Sequence, residues 1–221
     1  MKRRKATKQQ KVATFKLWAL PASAMPVVAT FAYLFWKGET INWLYGAGAL
    51  AATLLWAFLL GEGLSRLRKA GTKYSWLGYI IALAAISVGP AIAATYAGTG
   101  KLIWDILWVA GPISLISAGI LRAKYARDVI NPTKCTALMY GVEVIFPLVF
   151  IGACSMLSIL PQHTIIIFLT LPVAVALYRT MQRGVKEGAG PLIDLDTRTV
   201  NYLLIISTLL TASIVAAKVL F

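Results

Sequence analysis

Carboxylate side chains are scarce in this chain. Only 8 of its 221 residues are Asp or Glu, against 22 Lys and Arg, and the formal net charge is +14. General acid–base catalysis and the binding of hard cations both depend on carboxylates held close together. Few positions are therefore left for such chemistry, and each acidic residue can be weighed individually.

Histidine and cysteine are nearly absent as well. The chain has one histidine, His163, in the short segment LPQHT, and nothing near it in sequence completes a metal site. Cys135 is predicted in a loop and Cys154 inside an apolar span, so the two thiols should lie at different depths. This excludes a disulfide framework or a cysteine–histidine metal cluster, and the sequence predicts no bound metal and no cofactor.

Apolar residues dominate instead. They make up 59% of the chain, and the mean hydropathy is +0.74. A helix needs about 20 residues to cross a hydrocarbon layer, and apolar runs close to this length recur along the sequence. We predict spans at residues 17–36, 41–60, 74–97, 103–121, 137–159, 164–178 and 202–220, of which the sixth is the shortest.

The predicted fold class is therefore an all-α polytopic membrane protein with about seven transmembrane helices. Residues 1–16 form a basic cytoplasmic N-terminal segment, and residues 17–221 form a single transmembrane helical domain. Proline inside most spans is compatible with this prediction where neighbouring helices satisfy the freed backbone groups. Small residues between them allow close helix packing, so we expect a compact bundle.

The positive charges separate cleanly between the two sides. Of the 22 Lys and Arg residues, 19 precede span one or follow spans two, four and six, and only Lys37, Lys101 and Lys218 fall on the other side. By the positive-inside rule the N-terminus is cytoplasmic, or its organelle equivalent, and the C-terminus is outside. The protein should be integral to the inner or cytoplasmic membrane. Topology and attraction to anionic lipid account for the charge, so no nucleic-acid partner is predicted.

Glu143 lies about two turns into span five, where a charge must find a partner, become neutral or face water. It is either a functional residue, as in a small transporter, or a group that is protonated or paired inside the bundle. The sequence leaves both interpretations open. Asp194 and Asp196, before span seven, are interpreted as residues that solvate the loop and cap the helix.

Several segments resemble the UbiA superfamily of membrane prenyltransferases, most closely the branch that prenylates dihydroxynaphthoate on the way to menaquinone. Arg127 and Asp128 are similar to the Arg-Asp pair of that branch's second acidic motif. The resemblance covers about four fifths of the chain, through LWALPASAMPVV, WLGYIIALAAISVGPAIAATYAGTG, AGILRAKYARDVINP, LPVAVALYRTM and LIDLDTRTVNYLLIISTLL. It implies a ring of helices around a lipid-accessible cavity, in which two acidic loops hold magnesium against the diphosphate of an isoprenoid donor.

The motifs that would hold this magnesium depart from the family. The first reads LLGEGLSRLRKAG, with Glu62 as its only carboxylate, and the second has Lys124 and Tyr125 where asparagines are expected, which leaves Asp128 alone. The chain is also shorter than family members by about two helices. If the protein were active, Asp128 and Glu62 would be its catalytic carboxylates, with magnesium as the cofactor. Phosphate or lipid headgroups could still be attracted by Arg66, Arg68, Lys69, Arg127 and Lys134.

Three functions follow from these features. The favoured one is a catalytically degenerate prenyltransferase-like protein that acts as a structural or lipid- or quinone-binding subunit of a membrane complex. Its partners would be membrane lipids, an isoprenoid or quinone, and other membrane subunits. The second is an active, divergent prenyltransferase that transfers an isoprenoid from a diphosphate donor to an aromatic acceptor. The third is a small transporter that uses Glu143.

Overall fold

The computed structural model describes the backbone of residues 2–69, 87–128, 132–188 and 190–220, and the side chains of 20–57, 87–127, 132–188 and 190–220. These residues form helices and turns, without a strand. The α-helices are α1 (Lys2–Lys37), α2 (Trp43–Lys69), α3 (Gly89–Thr99), α4 (Leu107–Asp128), α5 (Lys134–Met156), α6 (Leu171–Glu187) and α7 (Leu195–Leu220). Three 3₁₀ segments, Trp104–Ile106, Gln162–Thr170 and Gly190–Leu192, precede α4, α6 and α7.

The predicted all-helical class is confirmed, and part of the predicted membrane topology is supported. Among the described residues, four segments are long and apolar enough to cross a membrane: Trp104–Arg127, Lys134–Met156, Gln162–Glu187 and Gly190–Leu220. Trp43–Ala57 is a shorter apolar helix. Residues 74–86 of the predicted third span lie outside the described part of the chain.

The helical segment that contains the predicted sixth span is longer than that span. The sequence suggested residues 164–178, whereas the 3₁₀ segment and α6 together run for 26 residues, Gln162–Glu187. A 3₁₀ helix rises about 2.0 Å per residue, so its 9 residues account for about 18 Å of this segment. Hydroxyl groups support this tight winding, because Thr164 Oγ1 donates to the Pro161 carbonyl and Thr170 Oγ1 to the Ile167 carbonyl, both at 2.7 Å.

Proline inside α1 is accommodated by serines from other helices. Pro26 has no N–H, so it cannot donate to the Ala22 carbonyl one turn earlier. The Ser87 hydroxyl donates to that carbonyl at 3.4 Å, and the Ser117 hydroxyl lies 3.4 Å from it and 3.2 Å from the Ile113 carbonyl. Both serines are buried. The Ala22 carbonyl, which has no helical donor because of Pro26, is therefore a polar contact point between α1 and its neighbours.

Helix α4 is the central helix of the described bundle. It packs against α1, α5 and α7. From residue 112 to residue 120 every side chain except Leu115 is buried. A helix that is enclosed on all sides occupies a core. Helix α4 therefore fills the centre of the described bundle, and the lipid-accessible cavity that the resemblance implies stays an expectation.

The helices alternate in direction, so basic residues collect at one end of the bundle. We call this the basic end: it comprises the C-terminal ends of α4 and α6 and the N-terminal ends of α5 and α7. At the opposite end, the Asn42 N–H donates to the Gly98 carbonyl at 2.8 Å. Lys218 Nζ approaches Gly38 there, within 3.9 Å of the position a Cβ would take. The arrangement agrees with the alternation that charge counting predicted.

Candidate functional site at the basic end

Glu143 of α5 is paired with Arg122 of α4. Arg122 Nε donates to both carboxylate oxygens at 2.8 Å, and Nη2 donates to Oε1 at 2.6 Å. The side chain of Glu143 is 8% exposed and that of Arg122 21% exposed. A guanidinium that binds both oxygens stabilises a carboxylate in an apolar setting. The buried charge of Glu143 is therefore paired inside the bundle, which is one of the two alternatives left open by the sequence.

A second ion pair joins α4 to α7. Arg127 Nη1 donates to Asp196 Oδ2 at 2.5 Å, and the Asp196 side chain is 11% exposed. Asp196 Oδ1 also accepts from the Thr197 N–H at 3.0 Å. The prediction that Asp196 solvates a loop is therefore wrong: it lies in the first turn of α7, is buried, and links two helices. A carboxylate at a helix N-terminus is also stabilised by the helix dipole.

Hydroxyl groups connect α5 to α7 between the two ion pairs. The Tyr140 and Thr199 hydroxyls are 2.6 Å apart, and Thr199 donates its own proton to the Leu195 carbonyl at 2.7 Å. Tyr140 is therefore the donor to Thr199. One turn further along α7, the Tyr202 hydroxyl donates to the Val144 carbonyl at 2.7 Å. Helices α4, α5 and α7 are thus joined by a continuous polar layer at the basic end.

The other predicted site residues divide into two groups. Lys134 is exposed at the first residue of α5, next to Thr133, whose hydroxyl caps the helix by accepting from the Thr136 N–H at 3.2 Å. The side chains of the predicted carboxylates and of the three other predicted cations lie outside the described residues: Glu62, Asp128, Arg66, Arg68 and Lys69. Of the predicted set, the structure brings Arg127 and Glu143 into the polar layer and leaves Lys134 on the surface.

The two buried carboxylates at the basic end do not fit the magnesium that an active enzyme would need. Glu143 and Asp196 are each bound by a guanidinium, which a divalent cation would have to displace. In the described ranges, no group of three His, Cys, Asp or Glu side chains could hold a metal ion. What this arrangement does is hold helices together through charge-assisted hydrogen bonds.

Sequence reasoning missed the partners rather than the charged residues themselves. Arg122 was counted only as one of the positive charges, and Asp196 only as a residue that solvates the loop and caps the helix. A carboxylate deep in one apolar span and an arginine at the end of the preceding span were the available signal for the first pair. The second pair, 69 residues apart, had no such signal.

In comparisons with known proteins, no protein-family model, no curated protein and no solved structure matches the chain.

Proposed function

We propose that this protein is a catalytically degenerate, UbiA-like integral membrane protein that serves as a structural or lipid- or quinone-binding subunit of a membrane complex. The N-terminus lies on the cytoplasmic side, or its organelle equivalent, and the C-terminus outside. The observation that carries the proposal is the ion pair of Arg127 with Asp196. The arginine that resembles the family's diphosphate-binding motif is used here to join α4 to α7.

Two further features support a role without prenyl transfer. The carboxylate of Glu143 is neutralised by Arg122 and that of Asp196 by Arg127, so neither of these two buried acidic groups is available to a cation. The centre of the described bundle is filled by α4, whose Ile113, Ile116 and Ile120 are fully buried. Prenyl transfer requires a water-excluding cavity in which charge on a departing diphosphate is compensated.

The proposal is tested by purification from the native membrane in a mild detergent. We expect other membrane proteins to remain bound in fixed stoichiometry, and organic extraction followed by mass spectrometry to recover a lipid or quinone. The purified protein should not transfer an isoprenoid from a diphosphate donor to an aromatic acceptor in the presence of magnesium. Transfer that the Asp128→Asn substitution abolishes would establish the active divergent prenyltransferase instead.

A further inference from the structure

Two arginines of α6 are placed differently from those of α4. Arg179 and Arg183 are exposed, whereas Arg122 and Arg127 are half-buried and paired with carboxylates. Within the described residues, the side chains of Arg179 and Arg183 make no hydrogen bond or ion pair, and Glu187, one turn after Arg183, does not pair with it. A guanidinium carries five N–H donors in a planar fork that matches a phosphate.

These arginines line one end of a groove on the outer face of α6. The groove has a volume of about 520 Å³. Arg179, Thr180 and Arg183 line its polar part, and Leu171, Val175 and Ala176 line its apolar part. The opposite face of α6 is buried in the bundle through Ala174, Leu177, Met181 and Gly184. The groove therefore faces away from the polar layer and towards whatever surrounds the bundle.

The dimensions of the groove match one leaflet of a bilayer. From Leu171 to Arg183 the helix rises about 18 Å at 1.5 Å per residue. Half of a hydrocarbon core is about 15 Å thick. With the basic end at the membrane surface, the two guanidinium groups lie at headgroup level and the apolar part at acyl-chain level. Residues four apart on a helix are neighbours on one face, so both arginines can reach a single phosphate.

We propose that this groove is a binding site for an anionic phospholipid, with the lipid phosphate held by Arg179 and Arg183 and an acyl chain along Leu171, Val175 and Ala176. Charge complementarity selects the occupant. Two cations that pair with no described side chain are matched by a phosphodiester whose headgroup adds no positive charge. A zwitterionic lipid carries a compensating ammonium and is bound less well. The site rests on membrane insertion and is independent of the UbiA resemblance.

Native mass spectrometry of the purified protein in mild detergent tests the site. Phosphatidylglycerol and phosphatidylcholine with identical acyl chains are titrated separately, with glycerol 3-phosphate as a soluble competitor. We expect phosphatidylglycerol to bind more tightly than phosphatidylcholine, and the competitor to displace it poorly because it has no acyl chain. For the R179Q/R183Q variant, the dissociation constant for phosphatidylglycerol should rise by about tenfold or more, because each cation contributes to attraction at an anionic surface.

Two further variants distinguish the contribution of the two positive charges from that of the groove. R198Q/K218Q removes the same charge at exposed positions outside the groove and should bind phosphatidylglycerol as the unmodified chain does. A176W keeps both arginines but fills the groove at its smallest lining side chain, and should also weaken binding. Unchanged binding by R179Q/R183Q or by A176W, or equal binding of the two lipids, would overturn the proposal. None of these outcomes depends on whether a quinone or a partner subunit is found.

Discussion

At the scale of single residues, the chain places a few charges in apolar surroundings and gives each described one a partner. Glu143 accepts three hydrogen bonds from Arg122, and Asp196 accepts from Arg127. Removing one member of a buried ion pair is much more costly than replacing both, because the remaining charge stays in a poorly solvating environment. This asymmetry provides a direct test of the first pair.

We predict that Glu143→Leu destabilises the protein by about 3 kcal/mol, the lower end of the range for a broken buried pair, because the Arg122 side chain is partly exposed. The R122L/E143L double variant should recover most of this loss, since it leaves no unmatched charge of the pair. The free energy of unfolding in detergent, followed by circular dichroism, measures both effects.

The control is Lys134→Leu, which removes an exposed charge at the same end and should change the free energy of unfolding little. A double variant as unstable as Glu143→Leu would mean that the pair does not act as a unit. Ion flux in liposomes that Glu143→Gln abolishes would instead favour the transporter hypothesis.

At the scale of helices, glycines set how closely neighbouring elements approach. A Cβ at Gly152 of α5 would lie 2.5 Å from Cε2 of the Phe168 ring, which packs against α5 from the 3₁₀ segment. A Cβ at Gly141 of the same helix would likewise lie 2.8 Å from Cδ2 and Cε2 of the Tyr178 ring. Close approach of this kind replaces the hydrophobic driving force that is missing between helices in lipid.

We predict that Gly152→Ala lowers the free energy of unfolding by about 1–3 kcal/mol, because the added methyl group overlaps the Phe168 ring. This loss should appear even though alanine favours a helix over glycine by about 1 kcal/mol. Combining it with Phe168→Ala should cost less than the sum of the two single changes, since they relieve one shared contact. Thermal and denaturant unfolding in the same detergent measure the series.

Gly48→Ala is the matched control, because nothing lies within 4 Å of a Cβ built at that helical position. It should leave stability unchanged or raise it. If both alanine variants behaved alike, the packing of α5 on the 3₁₀ segment would not limit stability.

At the scale of the whole molecule, the ends of the bundle carry different charges and are expected on different sides of the membrane. The two free cysteines report on this arrangement. Cys135 is exposed in the first turn of α5 at the basic end, whereas Cys154 is buried near the other end of the same helix. A thiol reacts only where it is accessible as a thiolate.

We predict that a membrane-impermeant maleimide labels Cys135 in inverted vesicles and not in right-side-out vesicles, because the basic end faces the cytoplasm under the positive-inside rule. In a C135S background, Gln162→Cys should show the reverse pattern, since Gln162 is exposed at the other end of α5. Cys154 should stay unlabelled until the protein is unfolded. Labelling of Cys135 from the outer side would reverse the proposed orientation.

The sequence predicted some of these features and not others for physical reasons. The helical class follows from apolar runs, and the structure bears it out through α4, α5, α6 and α7. The helical segment around the sixth span is longer than the predicted span, because hydropathy marks only its apolar part, whereas the helix continues through the polar residues 179–187. The candidate site was found only in part: Glu143 stood out as a charge in an apolar run, whereas its partner depended on how two helices pack.

By itself the sequence determined that the chain is helical, that its long segments are apolar enough to cross a membrane, and that its positive charge is concentrated on one predicted side. These properties depend on the composition along the chain. Placing polar groups in hydrocarbon is costly, so the apolar and charged segments of the sequence indicate which parts cross the membrane and which stay at its surface. Only the tertiary structure decided that Arg127 joins Asp196, that Glu143 joins Arg122, and that Arg179 and Arg183 face outwards. These outcomes depend on which helix faces pack together, and residues distant in sequence acquire partners only when that packing is in place.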